Sequence, residues 1–179
     1  MLQRTIKKEI TIKGQALHSG IEVEMRCCPA PDDTGVVFYR SDVPGSPMIP
    51  ARFDYVLDTK KCMVIGIKEL RIQTIEHLMA AIAGLNIDNL KIYVNGPEIP
   101  LGDGSAYFFA RKLMEAGIVE LKETRRISVL SEAVYVSQPL PSGKIAWLIA
   151  LPSAQTGYSY TFVSEHAALT DQYAEFTEG

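Results

Sequence analysis

The sequence contains an adjacent carboxylate and imidazole, Glu76 and His77, at the beginning of an apolar, periodic stretch. An ionised Glu can act as a general base, and a neutral imidazole beside it can bind a metal ion. The partial positive charge of a helix N-terminus favours the ionised carboxylate and disfavours an imidazolium, so a first helical turn suits both roles. Adjacent Glu and His residues are also common on ordinary protein surfaces, so the pair alone leaves both interpretations open.

The residues around this pair predict the helix that positions it. Thr74 is the predicted N-cap, and Gly84 is the predicted C′ residue just beyond the last turn of the helix. The pair therefore falls in the first turn, beside the main apolar stripe rather than on it. Spacing of i, i+3, i+4 and i+7, which is typical of an amphipathic helix, is shared by Ile75, Leu78, Met79 and Ile82.

Residues 1–124 predict a first α+β domain in two layers, with a mixed sheet packed on two helices. We expect one strand from Ile6 to Gly14, further strands near residues 21–26, 35–40 and 90–94, and a turn at residues 17–20. A strand at residues 63–67 is expected to lead through a short turn directly into the Glu76–His77 helix. Ser105 is the predicted cap of a second helix that Gly117 ends.

Residues 125–179 predict the start of a second domain that contains strands only. The expected strands cover residues 127–136, 145–151 and 158–163, and a polar segment follows them. Three strands without a covering helix make a poor independent domain, so this part of the chain is predicted to be truncated.

Composition restricts the class of function. The 179 residues carry a formal net charge of −3 and contain no run of Lys or Arg, which gives no reason to expect nucleic-acid binding. No apolar segment is long enough for a membrane span, and the first residues do not resemble a signal peptide. Cys27, Cys28 and Cys62 form no CxxC pair, which favours reduced thiols in the cytoplasm.

Six motifs, in the order in which they occur, carry a resemblance to a known enzyme family. They are Leu17-His18-Ser19-Gly20, Pro29-Ala30-Pro31 with Thr34-Gly35-Val36, Asp58-Thr59 with Cys62, Thr74-Ile75-Glu76-His77-Leu78 with Ala80-Ala81 and Ala83-Gly84-Leu85, Ile87-Asp88-Asn89, and Asn95-Gly96-Pro97-Glu98-Ile99-Pro100 with Asp103-Gly104-Ser105-Ala106. Together they resemble the zinc-dependent UDP-3-O-acyl-N-acetylglucosamine deacetylases of lipid A biosynthesis. The resemblance is close over residues 1 to about 125 and looser beyond them.

The resemblance implies a cytoplasmic hydrolase built from two similar βααβ layers, which removes acetate from the 2-amino group of its UDP-sugar substrate. It gives Glu76 the role of general base toward a zinc-bound water and His77 the role of one zinc ligand. His18, Thr59, Cys62 and Asp103 match motif positions near the substrate pocket. Lys144 matches a basic position near the UDP phosphates, and His166 belongs to a segment that is similar to the family's uracil-binding region, although Ser164 replaces its stacking aromatic.

The sequence also departs from the family pattern. The family's other two zinc ligands are a His and an Asp one helical turn apart, and its later catalytic His lies in the second domain. This sequence has only His18, His77 and His166, and no His-xxx-Asp follows His77. We therefore expect an N-terminal portion with an incomplete Zn²⁺ site that is inactive alone. Self-association of this truncated chain would cover the exposed face of its first domain. The alternative is a non-catalytic module that binds a nucleotide-sugar or a partner protein.

Overall fold

The computed structural model describes residues 1–164 and 168–177. These residues fall into two compact units, Met1–Arg125 and Arg126–Gly179. The strands of the first unit are β1 (Leu2–Ile6), β2 (Ile10–Gln15), β3 (Glu22–Pro29), β4 (Val36–Arg40), β5 (Ile49–Pro50), β6 (Val56–Asp58), β7 (Val64–Ile67), β8 (Leu70–Gln73), β9 (Leu90–Val94) and β10 (Ile118–Thr124). Its α-helices are α1 (Glu76–Gly84) and α2 (Ala106–Glu115), and a short 3-10 turn covers Phe53–Tyr55.

The main sheet of the first unit has five strands in the order β2-β3-β9-β4-β5. Its neighbours are antiparallel except β4 and β9, which run parallel, so the sheet is mixed. The antiparallel strands β6, β7 and β8 form a second sheet, and β1 pairs with β10 in a third. The α+β class predicted from the sequence is confirmed.

One apolar core joins the main sheet to both helices. Along β3 the side chains of Val23, Met25 and Cys27 are buried and alternate with charged side chains, because successive strand residues point to opposite faces. The buried residues of the helices belong to the same cluster as those of β3, β4, β7, β8 and β9; from the helices they are Leu78, Ala81, Ile82, Phe109 and Leu113. Both helices and the main sheet therefore share one apolar core.

The second helix follows its sequence signals. The Ser105 side chain accepts a hydrogen bond from the backbone N–H of Phe108 (3.3 Å), as expected of an N-cap. Gly117 has a φ of 73° just beyond the helix, in the left-handed region that favours glycine. Both predicted ends of α2 are therefore confirmed.

The predicted ends of α1 are wrong, although its apolar face is correct. Thr74 has a φ of 65° and lies outside the helix, while Ile75 occupies the N-cap position without a side-chain hydrogen bond. At the other end Gly84 is the last helical residue, and Asn86 adopts the left-handed conformation with a φ of 53°. At Thr74 the hydroxyl bonds to Glu98, a residue distant in sequence, at 2.8 Å and does not cap the helix.

Several strand predictions also need correction. The single strand expected from Ile6 to Gly14 is two strands, because β1 pairs with β10 while β2 pairs with β3. Strand β8 lies between β7 and α1, where a direct turn into the helix was expected. The partner of β1, strand β10, was also missed.

The second unit consists of two antiparallel hairpins. They join β11 (Val134–Pro139) to β12 (Ile145–Ala150) and β13 (Gly157–Phe162) to β14 (Gln172–Thr177). The strand expected at 127–136 begins only at Val134, and β14 lies where a polar segment was expected. All residues of β11, β13 and β14 are exposed. Among the described residues, no helix combines the length and apolar character needed to cross a membrane.

Candidate functional site

The Glu76–His77 pair lies in the first turn of α1, where the sequence predicts it. Both side chains are half-buried. The backbone N–H of Met63 donates to Glu76 Oε2 at 3.0 Å and so fixes the carboxylate from outside the helix. Leu78, the next residue, is fully buried and anchors this turn in the core. The turn that carries the pair is therefore partly accessible, and it is held by the Met63 bond to Glu76 and by the burial of Leu78.

The loop that carries two predicted site residues, Thr59 and Cys62, leads directly to Met63. Asp58 organises this loop by accepting the backbone N–H groups of Thr59 (2.8 Å) and Lys60 (3.0 Å). Those bonds lower the pKa of the exposed Asp58 carboxyl. Thr59 is exposed and Cys62 half-buried. Because the next residue after Cys62 is bonded to Glu76, the loop is tied to the first turn of α1.

A buried carboxylate, Glu98, connects the turn containing His18 to the entry of α1. Glu98 is 0% exposed. Its oxygens accept the backbone N–H groups of His18 and Ser19 at 2.9 Å each and the Ser19 hydroxyl at 2.9 Å. The Thr74 hydroxyl donates to Oε1 at 2.8 Å, and the Gln73 amide donates to Oε2 at 3.4 Å. Two motifs that are more than fifty residues apart in sequence thus meet at one side chain.

The hydrogen bonds to Glu98 keep it ionised. Burial alone would raise the pKa of this carboxyl, because it penalises the charged form. The donors from His18, Ser19 and Thr74 outweigh that penalty and lower the pKa to about 2. Glu98 is therefore a fixed negative charge at neutral pH.

Thr74 occupies a strained conformation between these two groups. A left-handed backbone is a genuine outlier for a β-branched residue. It is fully buried, its hydroxyl is bonded to Glu98, and its N–H donates to the backbone oxygen of Met63 at 3.0 Å. Such strain persists only where the surroundings over-determine the backbone, as they do here.

The predicted residue Asp103 has a structural role in the folded chain. Its carboxylate accepts the Ser105 N–H (2.9 Å) and the Ser105 hydroxyl (2.7 Å), and these bonds lower its pKa. Asp103 thereby orients the side chain that caps α2. It also borders an open cavity of about 660 Å³, lined among others by Gly14, Leu17 and Phe108. Glu76 and His77 are not among the residues that line this cavity.

The remaining predicted site residues lie elsewhere. The His18 side chain is exposed, and its turn is held by the backbone bond to Glu98 described above. Lys144 belongs to the second unit, in the turn between β11 and β12, where it is exposed. His166 lies outside the described residues, so its predicted uracil contact stays a prediction.

The residues in the described part of the chain do not fit a complete zinc site. Within residues 1–164 and 168–177, no three His, Cys, Asp or Glu side chains are grouped so that they could hold a metal ion. A catalytic zinc ion is typically bound by three protein ligands and one water. His77 offers one imidazole, so the further ligands of a zinc ion would have to come from outside the described residues.

Glu98, Thr74 and the Met63 backbone are the site residues that sequence reasoning missed. The signal at Glu98 was an acidic residue enclosed by Pro97 and Pro100 in an otherwise apolar extended segment. A carboxylate in such a segment is seldom buried unless it is paired or hydrogen-bonded. The left-handed backbone of Thr74 has no local signal.

Comparison with known proteins gives a consistent answer. Residues 3–178 match the model of a family described as UDP-3-O-acyl N-acetylglycosamine deacetylase. A UDP-3-O-acyl-N-acetylglucosamine deacetylase of Nautilia profundicola is 38% identical over 172 residues, which cover 96% of this chain and 56% of that protein. The Legionella pneumophila protein of that name is 39% identical, with 95% and 54% covered. A Myxococcus xanthus relative is 42% identical over 75% of this chain and 43% of its own. The chain spans about half the length of these curated relatives.

Proposed function

Because the chain belongs to the UDP-3-O-acyl N-acetylglycosamine deacetylase family, we propose that it supplies the Glu76–His77 part of an amide hydrolase. The substrate is UDP-3-O-acyl-N-acetylglucosamine, and the pathway is lipid A biosynthesis. The observation that carries this proposal is the first turn of α1. There the half-buried Glu76 carboxylate accepts the Met63 N–H, the half-buried His77 imidazole lies beside it, and buried Leu78 anchors the turn in the core.

Glu76 is the proposed general base. Amide hydrolysis adds a water oxygen to the carbonyl carbon, and the water proton must pass to a base within hydrogen-bonding distance. The Met63 N–H engages Oε2 and leaves Oε1 as the second atom that can accept that proton. The C–N bond then breaks, the leaving nitrogen takes up the proton, and the products are acetate and the free 2-amino group.

His77 is the proposed contributor to a zinc site. Its half-buried imidazole lies in the same turn as Glu76, and a neutral imidazole is the metal-binding form. Zinc in such enzymes supplies a polarised carbonyl and an activated water. The described residues provide one such ligand, so the proposal requires at least two ligands from elsewhere and makes this chain alone inactive.

Metal stoichiometry tests this proposal. Elemental analysis after dialysis would compare the 179-residue chain with a chimera in which it replaces the matching region of the Nautilia profundicola relative. We expect one zinc per chimera, none in the chain alone, and none in the chimera with His77→Ala. One tightly held zinc in the isolated chain, or an unchanged zinc content after His77→Ala, would show that the proposed ligand set is wrong.

A second candidate function, binding of another copy of the chain or of a partner protein, is favoured by the second unit. Large apolar side chains are exposed there, among them Trp147, Leu148 and Phe176. Exposed apolar patches of this kind often mark interaction surfaces. Light scattering over a concentration series would support self-association if the mass rises toward that of a dimer, and a constant monomer mass would exclude it.

A further inference from the structure

We propose that Glu98 is the positioning residue of the site, whose carboxylate fixes the backbone at the entry of α1 and so places Glu76 and His77. This inference rests on the proposed function of that pair. It assigns Glu98 no contact with the substrate. A connected series of hydrogen bonds, which includes the strained residue Thr74, links Glu98 to the first turn of α1.

The series of bonds begins at Glu98 and ends at the Glu76 carboxylate. Glu98 Oε1 accepts the Thr74 hydroxyl at 2.8 Å, and the Thr74 N–H donates to the Met63 oxygen at 3.0 Å. The N–H of Met63 then donates to Glu76 Oε2 at 3.0 Å. A shift of Thr74 would therefore move both backbone groups of Met63 relative to α1.

The strain at Thr74 explains why this series needs an anchor. A β-branched residue at a φ of 65° would return to an extended or right-handed conformation if its surroundings allowed it. Thr74 is only two residues before Glu76, so that change would redirect the first turn of α1. The hydroxyl bond to Glu98 opposes it from the side-chain end.

The ionised carboxylate is important because it faces donors. His18 N–H, Ser19 N–H and the hydroxyls of Ser19 and Thr74 all point at its two oxygens. A glutamine has almost the same shape, but its amide nitrogen is a donor and would face one set of these donors. The backbone on either side is held independently, since Gln73 N–H donates to Pro97 O and Ile99 N–H donates to Gln73 O. Glu98→Gln should therefore keep the segment in place while loosening Thr74.

Amide hydrogen exchange, measured by NMR on the 179-residue chain, tests this proposal without substrate or metal. The probe is the Met63 N–H, which reports the position of the Glu76 carboxylate and does not touch Glu98. Amides of the central strand β9 report global opening. In Glu98→Gln we expect Met63 to exchange roughly tenfold faster or more relative to β9. Glu69→Gln, at an exposed glutamate in the β7–β8 turn, is the matched control and should change neither.

A pair of variants at Thr74 separates positioning from general stabilisation. Thr74→Val keeps the branched shape but removes the hydroxyl, and we expect the same fast exchange at Met63. Thr74→Ser keeps the hydroxyl, and the Met63 amide should exchange as slowly as in the unchanged chain. This pair also decides the matter if Glu98→Gln does not fold.

Two results would overturn the proposal. One is Met63 exchange that changes only in step with the β9 amides, since Glu98 would then act through overall stability. The other is an unchanged Met63 amide in both Glu98→Gln and Thr74→Val. Neither result bears on whether Glu76 and His77 serve a deacetylase, so the failure of this proposal is distinguishable from failure of the proposed function.

Discussion

Acidification is expected to destabilise the first unit through the protonation of one buried group, Glu98. The ordinary pKa of a glutamate, 4.5, applies in the unfolded chain, whereas the hydrogen bonds in the folded unit lower the pKa to about 2. A group whose pKa is lowered by folding stabilises the folded state above its unfolded pKa, and this stabilisation disappears as the pH falls toward the folded pKa. Each pH unit between these values contributes about 1.4 kcal/mol, so the ionised carboxylate stabilises the first unit by about 3 kcal/mol.

Urea denaturation at several pH values between 7 and 2 measures this contribution. The amide NMR signals of β9 should be followed, because they report the first unit alone. The difference in unfolding free energy between the unchanged chain and Glu98→Gln should be nearly constant above about pH 5. This difference in unfolding free energy should shrink by about 3 kcal/mol between about pH 5 and pH 2. Parallel pH profiles of the two proteins across this window would refute the assignment of the stabilisation to Glu98.

Three further predictions concern the elements that hold the site, each measured by urea denaturation with the β9 signals. Phe109→Ala removes a ring that is 1% exposed in the core and should cost about 3–5 kcal/mol. Ser105→Ala removes the side-chain cap of α2 and should cost about 1 kcal/mol. Gly102→Ala should cost about 1–3 kcal/mol, because φ is 66° and the new Cβ would lie 2.4 Å from the Phe108 ring.

Two of these three predictions have a matched control variant. Tyr107→Ala removes an exposed aromatic side chain from the same helix as Phe109 and should cost far less. Gly84→Ala adds a methyl group that meets no atom within 4 Å beyond its chain neighbours and its own helix backbone, and it should not destabilise α1. Equal losses in either matched pair, or an unchanged stability after Ser105→Ala, would contradict the packing and capping described for these residues.

Local signals predicted α2 well and α1 only in part. The cap at Ser105 and the glycine at Gly117 act on neighbouring backbone groups, so the sequence nearby contains the information. Thr74 has the residue type of an N-cap, but its conformation depends on Glu98, which lies 24 residues away in the chain. The apolar stripe of α1 was predictable since it follows the helical repeat.

The missed strands share a similar cause. The partner of β10 is β1, more than one hundred residues earlier, and β8 has only four residues. Neither β10 nor β8 has a long alternating pattern of apolar and polar residues, so these strands form through pairing with their partners rather than through local propensity. The Glu76–His77 pair was identified from residue types and motif order, whereas the Met63 contact with Glu76 was not, because a backbone donor is invisible in sequence.

The most direct test of the proposed function is the rate of acetate release from UDP-3-O-acyl-N-acetylglucosamine by the chimera described above. We expect the chimera to be active and Glu76→Gln to lower the rate by roughly 10²–10⁴-fold, the usual contribution of a general base, with the zinc content unchanged. An active chimera that loses less than tenfold after Glu76→Gln would contradict the role assigned to Glu76.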